Sequence, residues 1–275
     1  MIKAVFFDID GTLVDHSACE GGMVPESTVL SLRALRSKGV KLFVATGRVP
    51  SMVDFLEEIF PFDGFVTLNG QLVVTRDGAV LHRMAHDKGD IRRLVEIVKQ
   101  KKFPCLIIEE EESFSVVESE VIREHFEWLR LPVPEVYDLS RLETHDVLQF
   151  LAYIPPEDCS LLDPLEHVEI TGAGGEIFDV IPKGGGKEVG IAAAAAHYGV
   201  AREEVMVFGD GDNDARMVAW AGTGIAMGNG VEVTKQAAAY VTADVSDGGV
   251  QKALLHFGLL SPADLEQARR QGAAQ

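Results

Sequence analysis

A chain of 275 residues, 47% of them hydrophobic and 25% charged, carries enough apolar surface for one large or two ordinary folded domains and lies far from the composition of disordered chains. A formal charge of -18 repels polyanions over most of the surface, which excludes a general nucleic-acid or anionic-membrane binder; a small anion is still admissible where a metal and local cations reverse the field. Cys19, Cys105 and Cys159 are odd in number and match no zinc spacing, and no apolar run makes a signal-peptide core or spans a bilayer, so a reduced, cytoplasmic setting is expected.

In chain order, Ile2 to Phe7 is a continuous apolar run that stops at Asp8, as a strand buried on both faces does. Pro25 can open a helix that shows Val29, Leu32 and Leu35 on one face, and Gly39 can close it. A second buried strand, Val40 to Ala45, then ends at Thr46-Gly47-Arg48. A helix through Met52, Phe55, Leu56 and Ile59 leads to a third strand, Gly64 to Leu68, which ends at Asn69-Gly70. Strands alternating with helices predict a parallel sheet of the doubly wound α/β type.

The rhythm then changes. Leu72 to Thr75 and Ala79 to Leu81 flank an Asp77-Gly78 hairpin signal. Helical stretches at Ile91 to Lys99 and Val121 to Leu131 alternate with extended ones at Cys105 to Ile108, Phe114 to Val117, Val147 to Ile154 and Val168 to Ile181. That pattern predicts an α+β insertion over residues 82–183, interrupting a core made of residues 1–81 and 184–275. The core resumes with Lys187, a helix from Glu188 to Tyr198, a strand from Val205 to Phe208 ending at Gly209-Asp210, and short strands at Gly224 to Met227 and Ala239 to Val241. The tail after Pro262 carries no chemical motif.

In open α/β sheets ligands bind beyond the carboxyl ends of the strands, so the polar motifs that end the buried runs should converge. They bring Asp8 and Asp10, Thr46 and Gly47, and Asp210, Asn213 and Asp214 to one pocket. Crowded carboxylates need a cation, and an oxygen-rich set without histidine suits Mg²⁺ rather than Zn²⁺. A carboxylate can attack phosphorus while a neighbour two residues away on the same side handles the proton, which is the relation of Asp8 to Asp10. Lys187 at a helix start, with the Thr46 hydroxyl, could hold an anion's oxygens.

Asp8-Ile9-Asp10-Gly11-Thr12, Thr46-Gly47-Arg48, Lys187 and Gly209-Asp210-Gly211-Asp212-Asn213-Asp214 resemble the four ordered motifs of haloacid dehalogenase superfamily phosphatases. Asn69-Gly70, the insertion after it, Ile181-Pro182-Lys183-Gly184 and Ala226-Met227-Gly228-Asn229 further resemble the Cof-type subfamily with an α/β cap, and the likeness spans nearly the whole chain. The resemblance implies Asp8 as nucleophile, Asp10 as general acid then base, Thr46, Gly47, Lys187 and Asn213 around the phosphate, and Mg²⁺ held by Asp8, the Asp10 carbonyl, Asp210 and Asp214. It implies hydrolysis of a small phosphorylated metabolite, most often a sugar phosphate, with phosphomutase and ligand-sensor readings as alternatives. Gly185-Gly186 replaces the family's bulky-plus-serine pair, and Asp244 stands where asparagine is common; neither removes a reacting group.

Other motifs fail on inspection. Ala215 and Ala221 occupy the glycine and glutamate positions of a calcium loop, and Ile181 and Glu188 break a nucleotide P-loop around Lys187. Glu109 to Glu112 reads as a solvated acidic face, and His16 as a loop histidine without a role. Phe126, Trp128 and Phe178 read as core of the insertion. Arg48 is open between anchoring substrate and pairing with a carboxylate.

Overall fold

The computed structural model describes residues 1–19, 21–101, 103–110, 112–128, 131–171 and 176–272. They divide into two compact units, one of residues 1–48, 52–82 and 186–275, the other of residues 49–51 and 83–185. The strands are β1 (Ala4–Phe7), β2 (Lys41–Ala45), β3 (Gly64–Thr67), β4 (Leu72–Thr75), β5 (Val80–Arg83), β6 (Cys105–Ile108), β7 (Ser113–Ser115), β8 (Gln149–Tyr153), β9 (Val168–Thr171), β10 (Ile177–Pro182), β11 (Val205–Gly209), β12 (Thr223–Ala226) and β13 (Tyr240–Val241).

The first unit is built on an eight-stranded sheet of order β13-β12-β11-β1-β2-β3-β4-β5. From β13 to β3 every pairing is parallel, and the hairpin partner β4 is antiparallel to β3. Strand β1 is apolar throughout because both its faces are covered. Val5 and Phe7 pack with Leu32, Leu35, Leu254 and Ala268, while Ala4 and Phe6 pack with Ile191, Ala194 and Met217 on the other side. Phe6 stacks on Phe43 at 4.6 Å and Phe7 on Phe208 at 5.1 Å, so the central strands share aromatic layers above and below. Truncating one such ring to alanine costs about 3–5 kcal/mol.

The helix Glu26–Ser37 starts after Pro25, and Gly39 at φ 77° turns the chain away at its end. The tail without a chemical motif forms the helix Pro262–Gly272, where Ser261 and Asp264 bond each other's backbone N–H. Lys38 reaches Asp264 at 3.1 Å, and Ala268 is buried in the core. The chain runs from β1 to β2 in one direction and returns at β11 on β1's other side. The strand order therefore reverses beside β1, and the crevice beyond the carboxyl ends of β1 and β11 is where such sheets bind ligands.

The second unit is an antiparallel sheet, β7-β6-β8-β10-β9. The helix Lys88–Lys101 contributes Leu94 and Val98 to a core with Cys105, Phe114, Phe150 and Val180. The single extended stretch read over 168–181 is two antiparallel strands in which Asp179 faces Thr171. Phe126 and Phe178 are buried as core, and the Trp128 side chain lies outside the described residues. The acidic run is a solvated face only in part: Glu112 is exposed and Glu110 half-buried, but each is ion-paired, and Glu109 is withdrawn from solvent. Glu109 is 7% exposed and forked by Arg141 at 3.0 and 2.7 Å, Glu112 also pairs with Arg141, and Glu110 pairs with Arg83 at 2.8 Å, while Glu111 lies outside the described residues.

Candidate active site

Asp8 follows β1 directly, and its backbone N–H donates to the Phe208 carbonyl of β11 at 3.0 Å. This fixes the first acidic loop against the last one. Lys187, 1% exposed, opens the helix Lys187–His197 and donates from Nζ to Asp8 Oδ1 and to Asp214 Oδ1, each at 2.6 Å. Asp214 has no exposed surface, and its other oxygen accepts the backbone N–H groups of Asp210 and Gly211, both at 2.9 Å. One carboxylate thus folds the loop 210–214 and holds the lysine.

Asp8, Asp210 and Asp214 each place one carboxylate oxygen within 4.8 Å of those of the other two. Burial, then the Asp214 charge, pushes the Asp8 carboxyl well above its ordinary value, although Lys187 pulls the other way. Burial likewise raises Asp210 to about 6 against the hydrogen bond from Thr12. Burial disfavours the charge on Lys187, yet the Asp214 and Asp8 carboxylates together lift its ammonium above the usual lysine value. One lysine among three carboxylates leaves an excess of negative charge that a small, hard divalent cation would offset, and an all-oxygen, histidine-free donor set fits Mg²⁺.

Asp10 points its carboxylate elsewhere. Arg48 forks both of its oxygens, Nε to Oδ2 at 2.8 Å and Nη2 to Oδ1 at 2.6 Å, and His16 Nε2 meets Oδ1 at 2.6 Å. Burial works against the charge, but the Arg48 and His16 contacts hold Asp10 below the ordinary carboxylate value. Of the two roles left open for Arg48, the structure shows the carboxylate pairing. His16, read as idle, is a partner of Asp10.

Thr46 is buried at the end of β2, where its hydroxyl accepts the Arg48 backbone N–H at 3.1 Å. Gly47 sits against Asn69, whose amide atoms would lie 3.1 Å from a Cβ at position 47. Asn213 donates from Nδ2 to Asn69 Oδ1 at 3.0 Å. All eight residues singled out by sequence therefore sit on the loops beyond β1, β2 and β11 or at the start of the Lys187 helix.

Sequence reasoning assigned no role to three further groups. Thr12 Oγ1 donates to Asp210 Oδ1 at 2.7 Å, Asn229 Nδ2 donates to the Gly11 carbonyl at 2.8 Å, and Asn69 receives Asn213. Each acts across more than a hundred residues of chain, so no local spacing reveals it. Gly11 is an exception with a local reason: at φ 82° and with a Cβ position 2.2 Å from Asp210 Oδ2, it admits no side chain.

No helix among the described residues is long and apolar enough to cross a membrane. The model of the haloacid dehalogenase-like hydrolase family matches residues 5–254. The chain belongs to this family. A Bacillus subtilis (strain 168) member named "Putative phosphatase YkrA" is 31% identical over 259 residues, covering 94% of this chain and 98% of the relative. The 5-amino-6-(5-phospho-D-ribitylamino)uracil phosphatase YitU of the same organism is 28% identical, covering 92% of this chain and 96% of its own. The solved haloacid dehalogenase subclass IIB sugar phosphatase BT4131 superposes with a TM-score of 0.86 at 32% identity, covering 94% of this chain and all of that one. This haloacid dehalogenase-like hydrolase is a phosphatase.

Proposed function

We propose that this phosphatase hydrolyses the phosphomonoester of a small sugar or polyol through a phosphorylated Asp8, with Mg²⁺ as cofactor. The observation that carries the reading is the fully buried lysine bridging Asp8 and Asp214 at 2.6 Å beside Asp210, at the switch point of a parallel sheet. A lysine in that place screens an anion's approach to a carboxylate nucleophile and fixes which oxygen attacks. The sugar and ribityl phosphates named for BT4131 and YitU share one chemistry, a phosphate ester on a hydroxylated carbon chain, and support that substrate class.

In the reaction an Asp8 oxygen attacks phosphorus and the bond to the leaving oxygen breaks, while Asp10 gives that oxygen a proton. Asp10 then takes a proton from water, the water oxygen attacks phosphorus, and the Asp8–phosphorus bond breaks to release phosphate. Lys187, Thr46, Asn213 and the Gly47 backbone hold the phosphoryl oxygens. Since Arg48 occupies both oxygens of Asp10, the fork opens before Asp10 serves as proton donor. Asp8, Asp210 and Asp214, with the Asp10 carbonyl, would hold Mg²⁺. The ion when bound supplies neutralising charge to the carboxylates and phosphoryl oxygens. Residues 82–183 act as the cap that limits water and selects the leaving group.

The test is phosphate release from a panel of sugar, ribityl, flavin and pyridoxal phosphates, with Mg²⁺ and with chelator, beside Asp8→Asn. Metal-dependent release that the variant abolishes supports the reading, and trapping of acid-stable phosphate on wild-type Asp8 supports the intermediate. Turnover surviving in Asp8→Asn rejects the covalent route. Isomerised product without free phosphate points to a mutase instead.

A further inference from the structure

The turn Leu68–Gly70 lies among the catalytic loops, yet no reacting role falls to it. Its backbone is costly. Leu68 and Asn69 are both left-handed without being glycine, at φ 53° and 51°, and Gly70 follows at φ 96°. Such conformations persist only where the surroundings over-determine them, and they concentrate at functional sites. Here the surroundings are the loops of the active site. The Leu68 N–H donates to the Arg48 carbonyl at 3.1 Å and the Asn69 N–H to the Thr46 carbonyl at 3.0 Å, which locks the turn to the loop after β2. A Cβ on Gly70 would stand 2.1 Å from the Gly186 carbonyl, so the turn also rests directly on the residue before Lys187. The Asn69 side chain, 1% exposed, reaches the third loop by accepting the Asn213 amide at 3.0 Å.

We infer that Asn69 is a positioning residue for phosphate binding: its carboxamide holds Asn213 in place while its left-handed backbone registers the Thr46–Arg48 loop against the Lys187 loop. Asn is suited to both tasks, because it tolerates the left-handed region better than other residues with a side chain and offers an acceptor at short reach. Asn69 acts through Asn213 and through the backbone of Thr46. The inference rests on the phosphatase reading for the role given to Asn213.

Asn69→Gly separates the two tasks, since glycine keeps the left-handed backbone and removes only the carboxamide. The experiment measures inorganic phosphate affinity in the presence of Mg²⁺ by calorimetry, together with kcat and KM, for the wild type, Asn69→Gly, Asn213→Ala and the double variant. Thermal unfolding checks each fold. The expected result is a loss of phosphate affinity of about tenfold in each single variant, the size set by one buried hydrogen bond, and no further loss in the double variant. Unchanged affinity in either single variant, or losses that multiply in the double variant, would overturn the inference. Where Asn69→Gly folds poorly, Asn69→Ala makes the same removal of the carboxamide, and an affinity equal to that of the wild type overturns the inference equally. If the wild type binds phosphate but releases none from any ester, the phosphatase reading fails, and the affinity cycle still judges Asn69.

Discussion

In the first unit the ammonium of Lys187 lies between two carboxylates, all three groups largely withdrawn from solvent. Removing one partner of a buried ionic set is costly because the others stay desolvated and uncompensated. Lys187→Met should therefore lower unfolding free energy by about 3–5 kcal/mol in metal-free urea titrations. A change below about 1 kcal/mol would mean that the carboxylates relax to solvent once the lysine is gone. Asp210 makes a second prediction with a definite sign. Its folded pKa of about 6 lies above the unfolded carboxylate value, so in the metal-free protein its contribution lowers stability as pH rises from about 4 to about 6. Mg²⁺ needs the ionised form and at low pH must displace a proton. The rise in melting temperature on adding Mg²⁺ should accordingly be larger at about pH 7.5 than at about pH 5, as read by scanning fluorimetry. Equal shifts at both would place the ion away from Asp210.

At the level of elements, His86 precedes the helix Lys88–Lys101 and is packed against Phe150 at 5.1 Å, with Nε2 donating to the Val180 carbonyl at 3.1 Å. Its Nδ1 is buried without a hydrogen-bond partner among the described residues, and burial lowers its pKa from 6.5 to about 4. The imidazole is neutral in the folded second unit and charged in the unfolded chain between those values, so stability falls as pH drops from 6.5 towards about 4. The loss should approach ~3 kcal/mol. Urea unfolding at successive pH values checks this, with His86→Phe expected to flatten the slope; an unchanged slope in the variant would assign the loss to other groups. Elements differ in how legible they are in sequence. Strands β1, β6 and β11 were read to within a residue or two because burial on both faces leaves an unbroken apolar run. Helices Gly249–His256 and Pro262–Gly272 were not read, since their burial comes from a distant partner, Glu26–Ser37; the first is only two turns long and the second is mostly small or polar. The site itself was legible because its chemistry sits where apolar runs stop. The hydrogen bonds from Thr12 to Asp210 and from Asn213 to Asn69 were not, because only the closed sheet brings their ends together.

For the whole molecule the decisive quantity is the field. Of the net -18, residues Arg83 to Gly185 hold 22 acidic against 11 basic side chains, a net -11 in the second unit, leaving -7 for the first. A doubly charged phosphomonoester therefore approaches a protein that repels it at long range, and it is attracted only where Lys187, Arg48 and a bound cation act over a few ångströms. These two contributions respond differently to salt. Raising ionic strength from about 10 to about 150 mM shortens the screening length from roughly 30 to roughly 8 Å, which removes the long-range repulsion but barely weakens contacts that are buried and in van der Waals reach. With Mg²⁺ held saturating, kcat/KM for a phosphomonoester should rise by about two- to fivefold over that range, with the change in KM rather than kcat. A fall instead would show that the cations of the site dominate the field out to the distance of first encounter. In that case substitution of exposed acidic residues in the second unit, such as Glu118 and Glu124, would leave KM at low salt unaltered; the repulsion argued here requires that neutralising them lowers it.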